Sequence, residues 1–263
     1  MRVVSLACSN TEIVHALGCA HLLVGVDDHS DWPPEVVEQL PRVGPDLQID
    51  LEKVIALKPD LVLASLTVPG HEKVVEGLAA AGLPCLVPEP VSLEDVYRDI
   101  REIGKLLDVP DRADAVVLSM RGALDAPPPP PDAPSLLVQW WPRPVITPGR
   151  LSWATDVLAA AGARATLAHE EVKSRPMSDA EVAAAAPDAV IVSWCGVDPA
   201  KYRPEVVLRN PAWQALGFVQ RREVHCIGEP FLGRPGPRLV EGVRAVRRVL
   251  DGLREVRSSK FEV

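Results

Sequence analysis

Two rhythms of apolar residues alternate along this chain. Short continuous runs such as "LVLAS" (Leu61 to Ser65) and "AVIVS" (Ala189 to Ser193) suit strands buried on both faces, as in a parallel sheet. Between such runs lie stretches with apolar residues at helical spacing. One helix-to-strand sentence is written twice: "LEKVIALKPDLVLAS" from Leu51 and "DAEVAAAAPDAVIVS" from Asp179. At a constant offset Val54 meets Val182, Ala56 meets Ala184, Pro59 meets Pro187 and Asp60 meets Asp188. In each copy a short helix is stopped by proline, which offers no N–H and clashes with the preceding turn. In the first copy Val54, Ile55 and Leu57 are expected on one side of that helix. A second echo keeps the same order. "NTEIVHALG" (Asn10 to Gly18) resembles "ATDVLAAAG" (Ala154 to Gly162), each reading as an N-capped amphipathic helix closed by glycine.

The repeat predicts two similar α/β lobes. The first, 1–110, begins with strand "RVVSLA", a helix from Asn10 and strand "LLVGVD". After the "DWPP" turn it continues through helix "DLEKVIALK", strand "DLVLAS", a helix from His71 to Ala81, strand "PCLVP" and helix "SLEDVYRDIREIGKLLDV". Strands alternating with helices at this spacing imply parallel sheets. A linking segment, 111–133, holds the helix "DRADAVVLSMRGALDA", with Ala113, Val116, Val117, Met120 and Leu124 along one side, and a stiff "PPPPPDAP" spacer. The second lobe, 134–263, opens with strand "SLLVQWW". A single helix crossing once should limit hinge motion.

Bulk composition narrows the function. Hydrophobic residues make up 47% of the 263, enough to fill two cores. A net charge of -8 and a pI near 5.3 argue against a nucleic-acid surface. The Arg-rich "RAVRRVLDGLREVRSSK" carries Val243, Val246, Leu250 and Leu253 in helical phase, so its arginines read as the solvated face of a terminal helix. No apolar run reaches the roughly 18 residues that span a bilayer. The opening "MRVVSLACSNTE" reads as a first buried strand and not as a signal peptide, so the chain is expected either to work in the cytoplasm or to lack its leader. Cys8, Cys19, Cys85, Cys195 and Cys226 are odd in number and include no C-x-x-C pair, which argues against a disulfide framework.

Motifs for catalysis are absent. There is no H-E-x-x-H, no G-x-S-x-G and no phosphate-cradling loop; "GRPGPR" near Gly233 lacks the lysine and the spacing. His29 and Asp31 in "DDHSDWP" have no third metal ligand at readable spacing, which favours a loop hydrogen bond. Cys8 and Cys195 follow strands near their carboxyl ends, where α/β folds place ligands, although as small apolar side chains they need no function. Aromatic residues are only 4% of the chain, yet six are tryptophan. Trp32, Trp140, Trp141, Trp153 and Trp194 lie in or beside segments that follow predicted strands, where large flat side chains would contact a flat, partly apolar ligand. Adjacent residues in a strand face opposite ways, so one of Trp140 and Trp141 should leave the core. Trp213 in "RNPAWQAL" reads as a helix anchor.

With "RVVSLACSNTEIVHALG", "VGVDDHSDWPP", "DLEKVIALKPDLVLA", the linking helix and "FLGRPGPRLVEG" in this order, nearly the whole chain resembles the helical-backbone (class III) periplasmic substrate-binding proteins of ABC importers. It looks most like their cobalamin-binding branch. The resemblance implies two Rossmann-like α/β lobes with mainly parallel sheets, joined by a single long helix, with the ligand cleft between them. It also implies a non-catalytic, extracytoplasmic receptor with no intrinsic cofactor or metal. Such a receptor would be a monomer that carries cobalamin or a related corrinoid, partners an ABC permease and does not bind nucleic acid.

Carried over by position, the implied ligand contacts in the first lobe are Ala7, Cys8 and Ser9, His29 and Trp32, and Leu66 and Thr67. Those in the second are Trp140, Trp141, Arg175, Trp194, Cys195, Glu229, Phe231 and Arg234. Cobalamin-binding relatives tend to have an aromatic where this chain has Ser65 and Leu66. Glu72 and Glu205 are the implied permease-docking carboxylates, although acidic residues at helix starts are also favoured by the helix dipole. A haem or ferric-siderophore receptor is the rival, with Arg175, Arg234 or Arg238 pairing ligand carboxylates or catecholates. A cytosolic metal-tetrapyrrole-handling enzyme is the rival of another class, and it would need a catalytic constellation that these residues do not assemble.

Overall fold

A computed structural model of the chain describes residues 1–258, with side chains to Arg254. Ser259 and Lys260, which close the Arg-rich stretch, lie outside the described residues. The chain divides into two compact units. One comprises Met1–Pro90, Glu94–Met120 and Pro235–Pro237; the other comprises Val91–Leu93, Arg121–Arg234 and the residues from Arg238 onward. The division falls inside the Asp111 helix.

The first unit alternates strand and helix as the apolar rhythm requires. Its elements are β1 (Val3–Ser5), α1 (Cys8–Ala16), β2 (Leu23–Val26), α2 (Pro34–Val37), α3 (Leu51–Ala56), β3 (Leu61–Leu63), α4 (His71–Ala80) and β4 (Cys85–Leu86). α5 (Leu93–Leu106) and α6 (Pro110–Leu124) follow. The strands form one parallel sheet in the order β2-β1-β3-β4. Val4, Leu6, Val43, Val54, Val62, Ala64 and Leu78 make its core, each buried valine or leucine contributing about 1.5–3 kcal/mol. On α6, Ala113, Val117, Met120 and Leu124 are buried while Leu118 faces solvent.

The second unit contains β5 (Ser135–Gln139), β6 (Trp141–Pro142), β7 (Val145–Pro148), α7 (Trp153–Ala161), β8 (Arg164–Ala165), β9 (Ser174–Met177), α8 (Asp179–Ala185) and β10 (Ala189–Val192). Next come α9 (Glu205–Leu208), α10 (Gly217–Gln220), β11 (Val224–Cys226), α11 (Glu229–Leu232) and α12 (Leu239–Ser258). Its parallel sheet runs β11-β10-β5-β8. A separate antiparallel sheet, β6-β7-β9, was not foreseen. The strand predicted as "SLLVQWW" therefore ends at Gln139, and Trp141 pairs with Ile146 instead. On α12, Val243, Val246, Leu250 and Leu253 are buried and Arg244 and Arg248 are exposed, as the periodicity predicts. No helix among the described residues is long and apolar enough to cross a membrane.

The duplicated sentence has the same geometry in both units. Each helix leaves through a non-glycine residue in the left-handed region, Lys58 at φ 47° and Ala186 at φ 42°, directly before the proline that ends it. Each aspartate then reaches across to the neighbouring strand. Asp60 Oδ2 accepts the Arg2 N–H at 2.6 Å and Asp188 Oδ2 accepts the Ser135 N–H at 2.9 Å. In return the Asp60 and Asp188 N–H groups donate to the Arg2 and Ser135 carbonyls, both at 2.8 Å. The acid is repeated because it clamps the start of the adjacent strand, β1 or β5, and so sets the parallel register.

Four local expectations change. Ile55 is 49% exposed while Val54 is fully buried, so α3 turns a narrower face inward. α1 begins at Cys8 and not at Asn10; Ala7 stands at its N-cap, which has no side-chain hydrogen bond. α1 is also buried on every side from Ser9 to Val14 and so is not amphipathic. α7 keeps the expected caps, Ser152 accepting the Ala154 N–H and Gly162 closing the helix at φ 97°, but like α1 it exposes no face to solvent.

Replacing either aspartate by alanine removes the side-chain acceptor at one strand start and leaves the residue's own N–H bond in place. Asp60→Ala and Asp188→Ala should each lower unfolding free energy by about 1 kcal/mol, read as a shift of the urea midpoint at unchanged slope.

Candidate functional site

In a parallel sheet the loops that leave the carboxyl ends of the strands gather on one edge, where α/β folds hold ligands. In the first unit these loops follow β1, β2 and β3. Cys8 and Ser9 form the first turn of α1, Cys8 half-buried and Ser9 buried. Asn10 Nδ2 donates to the Ala64 carbonyl at 2.7 Å, fastening α1 to the chain just beyond β3. Leu66 and Thr67 lie half-buried in the next loop. There Thr67 Oγ1 and Ser65 Oγ share a hydrogen bond of 2.8 Å.

A buried carboxyl organises the loop after β2. Asp27 is wholly buried; its Oδ1 accepts from Ser30 Oγ at 2.5 Å and its Oδ2 from the His29 N–H at 2.9 Å. Ser30 Oγ in turn shares a hydrogen with Thr11 Oγ1 at 2.8 Å, and Thr11 reaches Ser5 Oγ at 2.8 Å. Arg42 Nη1 closes the loop by donating to the Asp27 and Ser30 carbonyls at 2.8 and 2.6 Å. Burial pushes the Asp27 carboxyl above the usual carboxylate range, against the Ser30 and His29 hydrogen bonds that favour its ionised form. This scaffold holds His29 exposed and Trp32 41% exposed.

His29 meets a partner that the sequence reading missed. Its Nε2 lies 3.7 Å from Asp46 Oδ1, and the buried His71 places its Nε2 3.5 Å from Asp46 Oδ2. The nearby His71 imidazole is the main reason that the Asp46 carboxyl sits below its ordinary range. Among the described residues no group of three or more His, Cys, Asp or Glu side chains is placed to hold a metal ion.

In the second unit the carboxyl edge gathers Gln139 to Trp141, Ser193 to Cys195 and Gly228 to Arg234. Trp140 is half-buried, its ring 6.2 Å from that of Trp153 and tilted by 32°, whereas Trp141 is 44% exposed. Trp153 itself is buried and donates its indole N–H to the Leu232 carbonyl at 2.9 Å. Trp194 is buried too, with its indole N–H on Gln139 Oε1 at 2.9 Å. Cys195 is exposed beside it. Glu229 and the buried Arg234 form an ion pair at 2.8 Å, and Arg238 lies 4.8 Å over the Phe231 ring. Trp213 is buried against Phe218, in keeping with an anchor.

Arg175 stands apart from these loops, on β9 of the antiparallel sheet. Glu170 grips it in a two-pronged pair, both N···O distances 2.6 Å, and Glu181 adds a third contact at 2.8 Å. Those carboxylates raise its already high pKa further. Glu181 is also the reciprocal partner of Ser178 in the capping box that starts α8.

Each of the two parallel α/β sheets offers a rim of polar and aromatic loops at its carboxyl edge, the place where such sheets hold small molecules. The chain belongs to the periplasmic binding protein family, whose sequence profile matches residues 3–230. It is thus a substrate-binding protein of an ABC importer and not an enzyme. An uncharacterised ABC transporter substrate-binding lipoprotein of Bacillus subtilis (strain 168) is 30% identical over 257 residues, 92% of this chain and 77% of its own. A vitamin B12-binding protein of Pectobacterium carotovorum subsp. carotovorum (strain PC1) is 27% identical over 257 residues, 96% and 89% of the two chains. Among solved structures, a periplasmic haem-binding protein from Pseudomonas aeruginosa superposes with a TM-score of 0.75 at 29% identity, covering 95% of this chain and 92% of that one.

The buried Asp27 gives stability a pH dependence of definite sign. Its native pKa lies above the ordinary 3.8, so the folded state binds the proton more readily than the unfolded state. The penalty for burying the charge is full at neutral pH and fades as pH falls through the native value. The wild type should therefore gain stability relative to Asp27→Asn between pH 7 and pH 4, and a pH-independent difference in urea midpoints would contradict this.

Proposed function

We propose that this protein binds cobalamin or a related corrinoid outside the cytoplasm and delivers it to an ABC permease. The observation that carries the choice of ligand is the state of the arginines. Arg175 is held by Glu170 and Glu181, and Arg234 by Glu229. A haem propionate or a catecholate that pairs with Arg234 would have to displace Glu229, and leaving a buried charge without its partner costs several kcal/mol. A corrinoid presents mainly neutral amides around a flat ring and needs no such displacement. The exposed indoles of Trp32 and Trp141 supply flat apolar contact, and the hydroxyls of Ser65 and Thr67 supply hydrogen-bonding groups. The vitamin B12-binding relative supports the same ligand class. Relatives described as periplasmic or as a lipoprotein support the location.

Haem is the second reading. The exposed imidazole of His29 could ligate iron, and the likeness to a haem-binding protein favours it.

Glu72 and Glu205 remain the candidates for permease docking. Both are exposed at the first turn of a helix, α4 and α9. Glu72 also accepts the Gly70 N–H at 2.7 Å. Exposed carboxylates act on orientation and encounter more than on affinity.

Titration with cobalamin should quench tryptophan emission, while haem should not. Unchanged emission with cobalamin and strong quenching with haem would transfer the assignment to the second reading.

Joint replacement by Glu72→Ala and Glu205→Ala should leave the cobalamin dissociation constant within about threefold, because exposed charges contribute roughly 0–1 kcal/mol. Capture by the cognate permease in detergent should be lost. Retention of capture would remove both residues from the docking role.

A further inference from the structure

One polar chain runs along the carboxyl edge of the second unit's parallel sheet, and its centre is a residue that no motif singles out. Gln139, the last residue of β5, accepts the Trp194 indole N–H at 2.9 Å. The Trp194 carbonyl, just beyond β10, accepts the Tyr202 hydroxyl at 3.0 Å. The same hydroxyl accepts the backbone N–H of Glu229, beyond β11 and at the start of α11, also at 3.0 Å. Glu229 then holds Arg234. Thus the loops that follow three adjacent strands, β5, β10 and β11, are joined by side chains in series.

Tyr202 is built for this relay. It follows a short turn, Pro199–Lys201, that Asp198 caps through the Ala200 N–H, and its ring packs on Trp194 with centroids 5.6 Å apart. The side chain is buried, and burial raises its pKa, so the hydroxyl stays protonated and can donate and accept at once. A buried phenol with both roles filled fixes two loop backbones relative to each other. Neither a serine, too short, nor a phenylalanine, with no hydroxyl, could do so.

We propose that Tyr202 is a positioning residue for ligand binding, setting the spacing of the Trp194–Cys195 loop and the Glu229–Arg234 segment so that both meet one rigid chelate. This rests on the corrinoid reading for its ligand, but the coupling of the two loops does not.

The test is Tyr202→Phe, which keeps the ring packing and deletes only the hydroxyl. Hydrogen exchange of the ligand-free protein should quicken about tenfold in both loop segments, 193–198 and 227–233, with the rest of the unit unchanged. Cobalamin affinity should weaken about tenfold, the ratio that about 1.4 kcal/mol sets, chiefly through faster dissociation. Faster exchange in one segment only, or in neither, overturns the relay. Faster exchange in both with unaltered cobalamin affinity overturns the positioning role. If wild type binds haem and not cobalamin, the corrinoid reading fails, and the same affinity comparison is made with haem. If wild type binds neither, the importer-ligand reading and the positioning role fail together, while exchange still decides the loop coupling.

Discussion

Everything on the carboxyl edges of the two parallel sheets depends on how the central strands are started. A parallel pair has no hairpin to fix its register, so some other device must do so. Here the device is the Pro-Asp junction: proline ends the helix, and the aspartate exchanges two hydrogen bonds at the start of the neighbouring strand, Asp60 with Arg2 just before β1 and Asp188 with Ser135, the first residue of β5. Register fixed at the amino ends is carried through the buried strands to the carboxyl ends. A slip of one residue would exchange the two buried faces of the strand, moving Val4 or Leu137 out of its own packing cluster and Asp27 or Trp194 away from their partners.

The two edges are then stiffened differently. In the first unit a buried carboxyl accepts the Ser30 hydroxyl and the His29 N–H, while Arg42 donates to the Asp27 and Ser30 carbonyls, which gathers the loop after β2 into one block. In the second, neutral and charged side chains link three loops in series, and the arginines are satisfied before any ligand arrives. Breaking the buried Arg234–Glu229 pair would leave a charge without its partner.

Much of this was legible in the chain. The duplicated helix-Pro-Asp-strand sentence announced two parallel α/β units, since apolar runs and breakers act over a few residues and need no tertiary context. The 3.6-residue phase of Val243, Val246, Leu250 and Leu253 gave the buried face of α12 for the same reason. The pairing of Trp140 with Trp141 correctly marked a side chain that leaves the core. The antiparallel β6-β7-β9 sheet escaped notice because its strands carry prolines and charges, Pro142, Pro148, Arg175 and Pro176, and lack the apolar runs by which buried strands are found.

The sequence by itself determined the α/β class, the twofold plan, the helix stops and the family, all of which follow from local pattern and from the order of motifs. Only the tertiary structure decided what those residues meet. Asp27 looked like the polar end of a strand and proved to be a buried hub. Arg175 and Arg234 looked available to an anion and proved to be taken by carboxylates five residues away in the chain. Tyr202 carried no signal at all, because its hydroxyl acts on partners 8 and 27 residues distant, and hydrogen bonds between loops depend on where the sheet delivers them and not on any spacing a linear pattern can show.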